Sequence, residues 1–508
     1  MIEKRLHTRP VPQGLRDIPS LPLSAALALA GLLSVACGDD PSATAAAGAG
    51  GAAGSASGGT TTGGAATGGG GVTFGGAAGS AGASGGAASA GAAGNGASGF
   101  TRYDPSAHSS PVSDSVLASA RQIALADPNA NDDVFMKVGA SGTVSKSFLY
   151  CFAGDAQPSY RVEGADDLLQ SIEFFRSGDA AGTTPFDRPT LAAVVGRSAS
   201  WAISGSPSPL EQEQALLHPR FAFVNYGTND MGLGATYLSA LFPFFRNLST
   251  LLDQLAEQGV VSVISGLNPR GDSSSAALWV PTYDAVTRGL AESRQLPYLS
   301  LYLASKDLPN QGLLSDGLHG NAFSDGGSQP CVFTDTALQY NYNVRNLLSM
   351  SALDRLKRGV VDGSPAQDVT PAGYVGSGSA SDPIRIDRLP FTHAGNTSGA
   401  ERRIDTYTGC GADQDESGPE VFYSLELSER TPLRLLLLDR DGVDVDLHLL
   451  SASDGASCLA RNDRALQMTL DPGSYLITAD TFVTSASEQA GDYLLVVLRC
   501  EAGDPDCD

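Results

Sequence analysis

The chain has 508 residues, 42% of them hydrophobic and 17% charged, which supplies ample material for packed cores and excludes a chain that is disordered throughout. Its formal net charge is −23, from 32 basic and 55 acidic side chains. A surface of that sign repels phosphate backbones and anionic headgroups, so nucleic acid is excluded as a partner.

The first segment, 1–36, reads as an export leader. Lys4, Arg5, Arg9 and Arg16 precede the uncharged apolar stretch 21–36, which is short for a membrane span and suited to a signal-peptide core. It ends Leu33-Ser34-Val35-Ala36-Cys37, which resembles a bacterial lipobox. Cys37 would then carry a lipid and anchor the chain to a membrane of the cell envelope; the alternative is an ordinary secretory cut near Ala36. Residues 37–99 form the next segment. From Pro41 to Gly99 only Pro41, Val72, Phe74 and Asn95 are not Gly, Ala, Ser or Thr. Such a stretch buries too little apolar surface to offset its ordering entropy, and it is expected to be a disordered tether.

Residues 100–360 alternate strand and helix patterns. Strands are predicted over 133–139, 191–195, 221–225, 260–264 and 298–303. Helices are predicted over 165–175, from the Ser208-Pro209 start, over 237–257, over 282–294, and within 336–357. This alternation predicts an α/β fold, a mainly parallel sheet with helices on both faces, whose chemistry lies in the loops after the strands' carboxyl ends. Those loops hold Gly139-Ala140-Ser141-Gly142, Gly196-Arg197-Ser198-Ala199, Gly227-Thr228-Asn229-Asp230 and Ser315-Asp316-Gly317-Leu318-His319-Gly320. Each alone reads as a turn. Together they place a hydroxyl, close-approach backbone, an amide, an acid and an imidazole on one rim.

In this order the four blocks resemble those of the SGNH (GDSL-like) hydrolases, over residues 130–325. The resemblance implies a flavodoxin-like sheet and a serine ester hydrolase working through an acyl-enzyme. Ser141 would be the nucleophile, His319 its base and Asp316 the group that orients the imidazole. The backbone N–H groups of Ser141 and Gly196 and the side-chain amide of Asn229 would form the oxyanion hole. Ala140 stands where the family carries an Asp that supports the nucleophile loop. The second block looks like that of carbohydrate-deacetylating members, which implies acetyl esters of a polysaccharide as substrate. Lipase, lysophospholipase or thioesterase action on the same site and a non-catalytic glycan-binding protein are the alternatives. Of the other histidines, His7 falls in the leader, His393 and His448 fall beyond the α/β region, His108 precedes the first strand and His218 closes a helix. No His/Cys cluster has zinc spacing, so no metal or cofactor is expected.

Apart from Cys37 there are six cysteines, an even number that in an exported chain predicts disulfides. Cys151 and Cys331 are the expected pair if the loops bearing Ser141 and His319 converge. Cys410, Cys458, Cys500 and Cys507 are left to one another in an order the sequence does not specify. Residues 361–381 read as a Gly/Ser/Pro/Ala-rich linker. From 382 to 508, short alternating strands predict an antiparallel β-sandwich, and Gly418-Pro419-Glu420-Val421-Phe422-Tyr423 resembles the pre-peptidase C-terminal modules of secreted bacterial enzymes. Asp439, Asp441, Asp444 and Asp446 lack the spacing of a helix–loop–helix calcium site. Strand alternation places Val443, Val445, Leu447 and Leu449 inward, with Asp444, Asp446 and His448 on a solvated face. No obligate protein partner is expected.

Overall fold

The computed structural model describes residues 100–507, apart from 155–159, 412–413, 452–456 and 485–486. The leader, Cys37 and the 37–99 tether lie outside the described residues. Among the described residues no helix is long and apolar enough to cross a membrane.

Four strands form a parallel sheet in the order β1 (Asn131–Gly139), β2 (Pro219–Asn225), β3 (Val261–Ser265) and β4 (Tyr298–Leu299). All five residues of β3 are buried, so both faces of the sheet are covered. The helices in chain order are α1 (Asp114–Ala124), α2 (Ser141–Val144), α3 (Leu169–Arg176), α4 (Ala199–Ala202), α5 (Pro209–Leu217), α6 (Tyr237–Glu257), α7 (Ser274–Ser293), α8 (Leu301–Ser305) and α9 (Asn341–Leu356). The start of α5 follows from its residues: Ser208 and Glu211 exchange hydrogen bonds with each other's backbone, and Pro209 occupies the first turn, where no N–H is needed. α6 has the predicted bounds.

Three predicted elements differ. The strand expected at 191–195 is reduced to one bridge, Ala193 beside Gly139, outside the β1 edge. The Thr190 hydroxyl accepts from the Ala192 N–H and donates to the Lys137 carbonyl, bending the chain, and Val194 and Val195 face solvent. The sheet therefore has four strands rather than the five of the expected flavodoxin-like order, with this bridge in the outer position. β4 stops at Leu299 because the Ser300 hydroxyl caps α8 through the Leu303 N–H at 3.1 Å. α7 begins at Ser274, eight residues before the predicted start, and carries Pro281 inside it.

The C-terminal region is a sandwich of two sheets. One has the order β10 (Cys458–Asn462), β9 (Val445–Ser451), β12 (Gly473–Thr481), β7 (Glu420–Leu427) and β5 (Ile384–Ile386). The other has the order β11 (Ala465–Leu470), β8 (Thr431–Asp439), β13 (Asp492–Arg499) and β6 (Phe391–Asn396). All pairings are antiparallel except β5 with β7. Leu433, Leu435, Leu437, Leu447, Leu449 and Leu495 form the heart of its core. The second sheet lies on α7: a Cβ at Gly289 would come within 2.8 Å of the Leu494 side chain. The Arg434 guanidinium sits 3.5 Å from the centre of the Trp279 ring and bonds Thr282 and Asp504 at 2.8 Å each.

The expected solvated face of β9 is buried. Asp446 and His448 are 3% and 0% exposed, because residues 404–411 and 414–416 lie over that face. Ile404 and Tyr407 pack there with Phe422 and Leu450, the Tyr407 ring stacks on the His448 imidazole at 4.0 Å, and a Cys410–Cys458 disulfide ties the segment to β10. Buried carboxyls hold it further: Glu420 accepts the Arg403 and Ile404 N–H groups, Asp480 accepts the Tyr407 hydroxyl, and Arg461 faces Glu416 and Asp446. Burial pushes Asp480 up to about 9, Glu416 and Glu420 to about 7 and Asp446 to about 6. The unfolded chain releases these protons near its ordinary carboxyl values, about pH 4, while the folded chain keeps them. Unfolding therefore releases their protons between about pH 4 and 9, and the stability these four carboxyls contribute falls as pH rises through that window, while buried His393, His448 and Lys137, lowered to about 3, 3 and 7, contribute in the opposite sense. The melting temperature of wild type relative to Asp480→Asn should therefore drop from about pH 5 to 9; calorimetry of both proteins across the pH range checks it.

Candidate active site

The rim at the carboxyl end of the sheet is built from the ends of β1 and β2 and from the loops that follow. β1 ends at Gly139, where a Cβ would lie 2.3 Å from Thr143 Oγ1 and 2.7 Å from the Asn225 carbonyl oxygen. Only glycine lets the chain turn there directly into α2. Ser141 opens that helix, and the Thr143 and Val144 N–H groups bond back to the Ala140 carbonyl at 2.9 and 3.0 Å.

His319 arrives from the other end of the chain, and its Nε2 stands 3.0 Å from Ser141 Oγ. The imidazole's Nδ1 is 2.7 Å from Asp316 Oδ2, while Asp316 Oδ1 accepts the backbone N–H groups of Leu318 and His319 at 2.9 and 3.0 Å. Those N–H bonds, of which His319's is the larger influence, and the imidazole bond hold the Asp316 carboxyl down at about 2. It is therefore ionised across the working pH range even though half exposed. The turn requires Gly317 at φ +68°, where a Cβ would also strike the Gly271 backbone at 2.6 Å.

Gly196 has φ +76° and open space where a side chain would stand, so its backbone is approachable from solvent. Its segment is stitched to β1 through Gly139 N–H to the Ala192 carbonyl and Val194 N–H to the Gly139 carbonyl. The Asn229 side-chain amide donates to the Arg197 carbonyl at 2.9 Å, which joins the second and third loops and leaves its other hydrogen to a ligand. Asp230 strengthens the same junction from below. Its carboxylate is 2% exposed and accepts the Ala199 and Gly227 N–H groups at 3.0 Å each. Burial raises it and those two bonds oppose the rise. Cys151 and Cys331 form a disulfide, one end close in sequence to Ser141 and the other to His319.

Several residues of the site carry no motif. α9 buries polar side chains beside its apolar ones. Asn343 bonds the Gln329 and Val332 carbonyls and the Phe323 N–H, and Asn346 bonds the Ser147 and Pro330 carbonyls and the Leu149 N–H. Tyr342 and Arg345 both donate to the Gly142 carbonyl, at 3.2 and 3.0 Å. The run Asn341-Tyr342-Asn343-Val344-Arg345-Asn346 inside a helical pattern was the available signal, since a helix so polar must bond something. As for metals, Asp439, Asp444 and Asp463 of the sandwich bring carboxylate oxygens within 4.8 Å of one another, with Asp439 bonded to Arg246. Cys500 and Cys507 are joined to each other.

No protein-family model matches the chain, and no curated protein does. Among solved structures, a GDSL-like lipase from Bacteroides thetaiotaomicron is 13% identical, covering 47% of this chain and 98% of its own, with a TM-score of 0.28. A two-domain esterase active on acetylated mannans is 11% identical, covering 72% and 91%, with a TM-score of 0.25. The pre-peptidase C-terminal domain of a collagenase from Bacillus anthracis is 18% identical, covering 22% and 91%, with a TM-score of 0.16. These identities and scores are low, and the chemistry of the site rests on its own geometry.

Asp230→Ala would leave two buried N–H groups without an acceptor and should cost about 2–3 kcal/mol. Amide hydrogen exchange at Ala199 and Gly227 should speed up well ahead of exchange in β2 and β3; unchanged protection at those two amides would contradict the clamp.

Proposed function

We propose that the chain is a serine ester hydrolase that works through an acyl-enzyme. The supporting observation is the unbroken relay from Asp316 through His319 to Ser141, with contacts of 2.7 and 3.0 Å. A serine hydroxyl is a weak nucleophile unless a base takes its proton as it attacks. In this reading Ser141 Oγ adds to the ester carbonyl while its proton passes to His319 Nε2, and Asp316 stabilises the imidazolium. The oxyanion would be met by the Ser141 and Gly196 N–H groups and the Asn229 amide. Collapse breaks the bond to the alcohol, which leaves with the proton from Nε2. Water then adds to the acyl-enzyme, giving its proton to the same nitrogen, and the carboxylic acid departs as Ser141 recovers its hydrogen.

For the substrate, the leading reading is an O-acyl ester of a glycan at the cell envelope, where an export leader and a lipid at Cys37 would place the enzyme. One observation favours a second reading, in which the acyl group is longer than acetyl. Val144, Val194, Val195, Leu233 and Leu314 are all exposed large apolar residues, and all lie on the loops that carry the site residues. Leu314 donates its N–H to the His319 carbonyl at 2.8 Å. Such a collar gains free energy from each methylene it covers, about 0.8 kcal/mol when burial is complete.

A fluorophosphonate probe should label the wild-type protein on Ser141, and Ser141→Ala and His319→Ala should reduce both labelling and ester hydrolysis to background. Asn229→Ala should lower turnover by about 10²–10³-fold. Hydrolysis of nitrophenyl esters from acetyl to decanoyl separates the two substrate readings: kcat/KM falling steadily with length supports the short acyl group, and a rise towards mid-length supports the collar.

A further inference from the structure

Arg345 is among the largest fully buried side chains of the described residues, 2% exposed, and pairs with no acid among them. Among the described residues the Tyr342 phenol is the titratable group acting on it, and burial lowers the guanidinium to about 10, so it stays charged at neutral pH. Its Nη1 donates to the Gly142 carbonyl at 3.0 Å and its Nη2 to Asn225 Oδ1 at 3.3 Å. Its plane lies over the Phe148 ring at 4.1 Å, and its Nε has no partner. The fit is close: a Cβ on Gly142 would sit 3.1 Å from Nη1. Asn225 in turn donates to the Ser265 and Gly266 carbonyls at the end of β3. The guanidinium therefore ties the Gly142–Thr143 peptide, one residue beyond Ser141, to the ends of β2 and β3.

A buried cation without a counter-charge carries a desolvation cost that a neutral donor in the same place would avoid. The loop beside it explains what the charge is for. Residue 140 is alanine, whose methyl can make no hydrogen bond, so the turn bearing Ser141 takes its polar support from α9 instead. We propose that Arg345 is a positioning residue for Ser141: with Tyr342 it holds the Gly142 carbonyl, and through that peptide it sets the nucleophile and its N–H against His319. The inference rests on the hydrolase reading above. It assigns Arg345 no contact with substrate, so its loss should act on the acylation step and leave substrate binding alone.

The full chain carrying Arg345→Met, Arg345→Lys or Tyr342→Phe is compared with wild type for fluorophosphonate labelling rate, for kcat and KM on a nitrophenyl ester, and for melting temperature. A displacement of the nucleophile by about 1 Å costs on the order of 10²-fold, so R345M should label about 100-fold more slowly with KM little changed. R345K, which keeps the charge and one donor, should recover part of that loss, and Y342F should fall between it and wild type. R345M leaves Asn225 Oδ1 without its donor and should melt somewhat lower than wild type, whereas Y342F leaves that bond in place and should lose rate with little loss of melting temperature; a purely structural role would make rate follow melting temperature across all three variants. Labelling of R345M at the wild-type rate overturns the proposal, as does a melting loss that matches the loss of rate with no recovery in R345K. If R345M does not fold, R345K and Y342F decide, and folded variants that label at the wild-type rate overturn it. Absence of labelling in the wild type, or labelling that survives Ser141→Ala, overturns the hydrolase reading itself, which keeps the two failures distinct.

Discussion

Ser141 and His319 are 178 residues apart along the chain, and they meet only because a third element fixes both of their loops. That element is α9. Its Tyr342, Asn343, Arg345 and Asn346 side chains bond backbone carbonyls of the segments that carry Ser141 and His319, and Asn341 bonds the side chains of Ser305 and Asn268. Asn346 reaches carbonyls on both sides, Ser147 on the Ser141 side and Pro330 on the His319 side. Loop backbone buried without such partners would leave polar groups unsatisfied, so these bonds are obligatory as well as directional. The Cys151–Cys331 disulfide adds a covalent tie between the same two segments.

Two carboxylates near the rim are set by opposite environments. Asp316 lies half exposed, and its low value comes from donors aimed at it, first the His319 N–H. Asp230 lies buried beneath the neighbouring loops, and burial works against its charge while two N–H groups sustain it. One faces the imidazole; the other braces the backbone at Ala199 and Gly227. Two acids on the same rim thus differ in ionisation because their surroundings differ.

The sandwich is joined to the α/β body through α7. The approach at Gly289 leaves no room for a side chain, and Arg434 is stacked on Trp279 with both ends of its guanidinium bonded. A planar, always-charged group that stacks and bonds at once suits such a junction better than an ammonium would. On its far sheet the sandwich is covered by its own segments 404–411 and 414–416, and burial raises the carboxyls there, Asp480 the furthest, whereas the exposed Asp316 at the rim is lowered.

The sequence by itself determined what is local. Alternation of apolar runs located β2, β3 and α6 closely, the Ser208-Pro209 start followed from capping chemistry, and the four glycine-bearing loops were evident from residue type. So were the main strands of the sandwich, whose period of two is plain in Val445–Ser451. Tertiary structure decided the rest, because the deciding partners are remote in sequence. Position 191–195 has strand composition but only the outer edge of β1 to pair with, and it makes a single bridge. Asp446 and His448 alternate as solvated residues would, and are buried because a segment some thirty to forty residues earlier lies over them. Arg345 and Asp230 belong to the site through the carbonyl and N–H groups they bond, and a hydrogen bond to backbone leaves no mark on the identity of the residue that receives it.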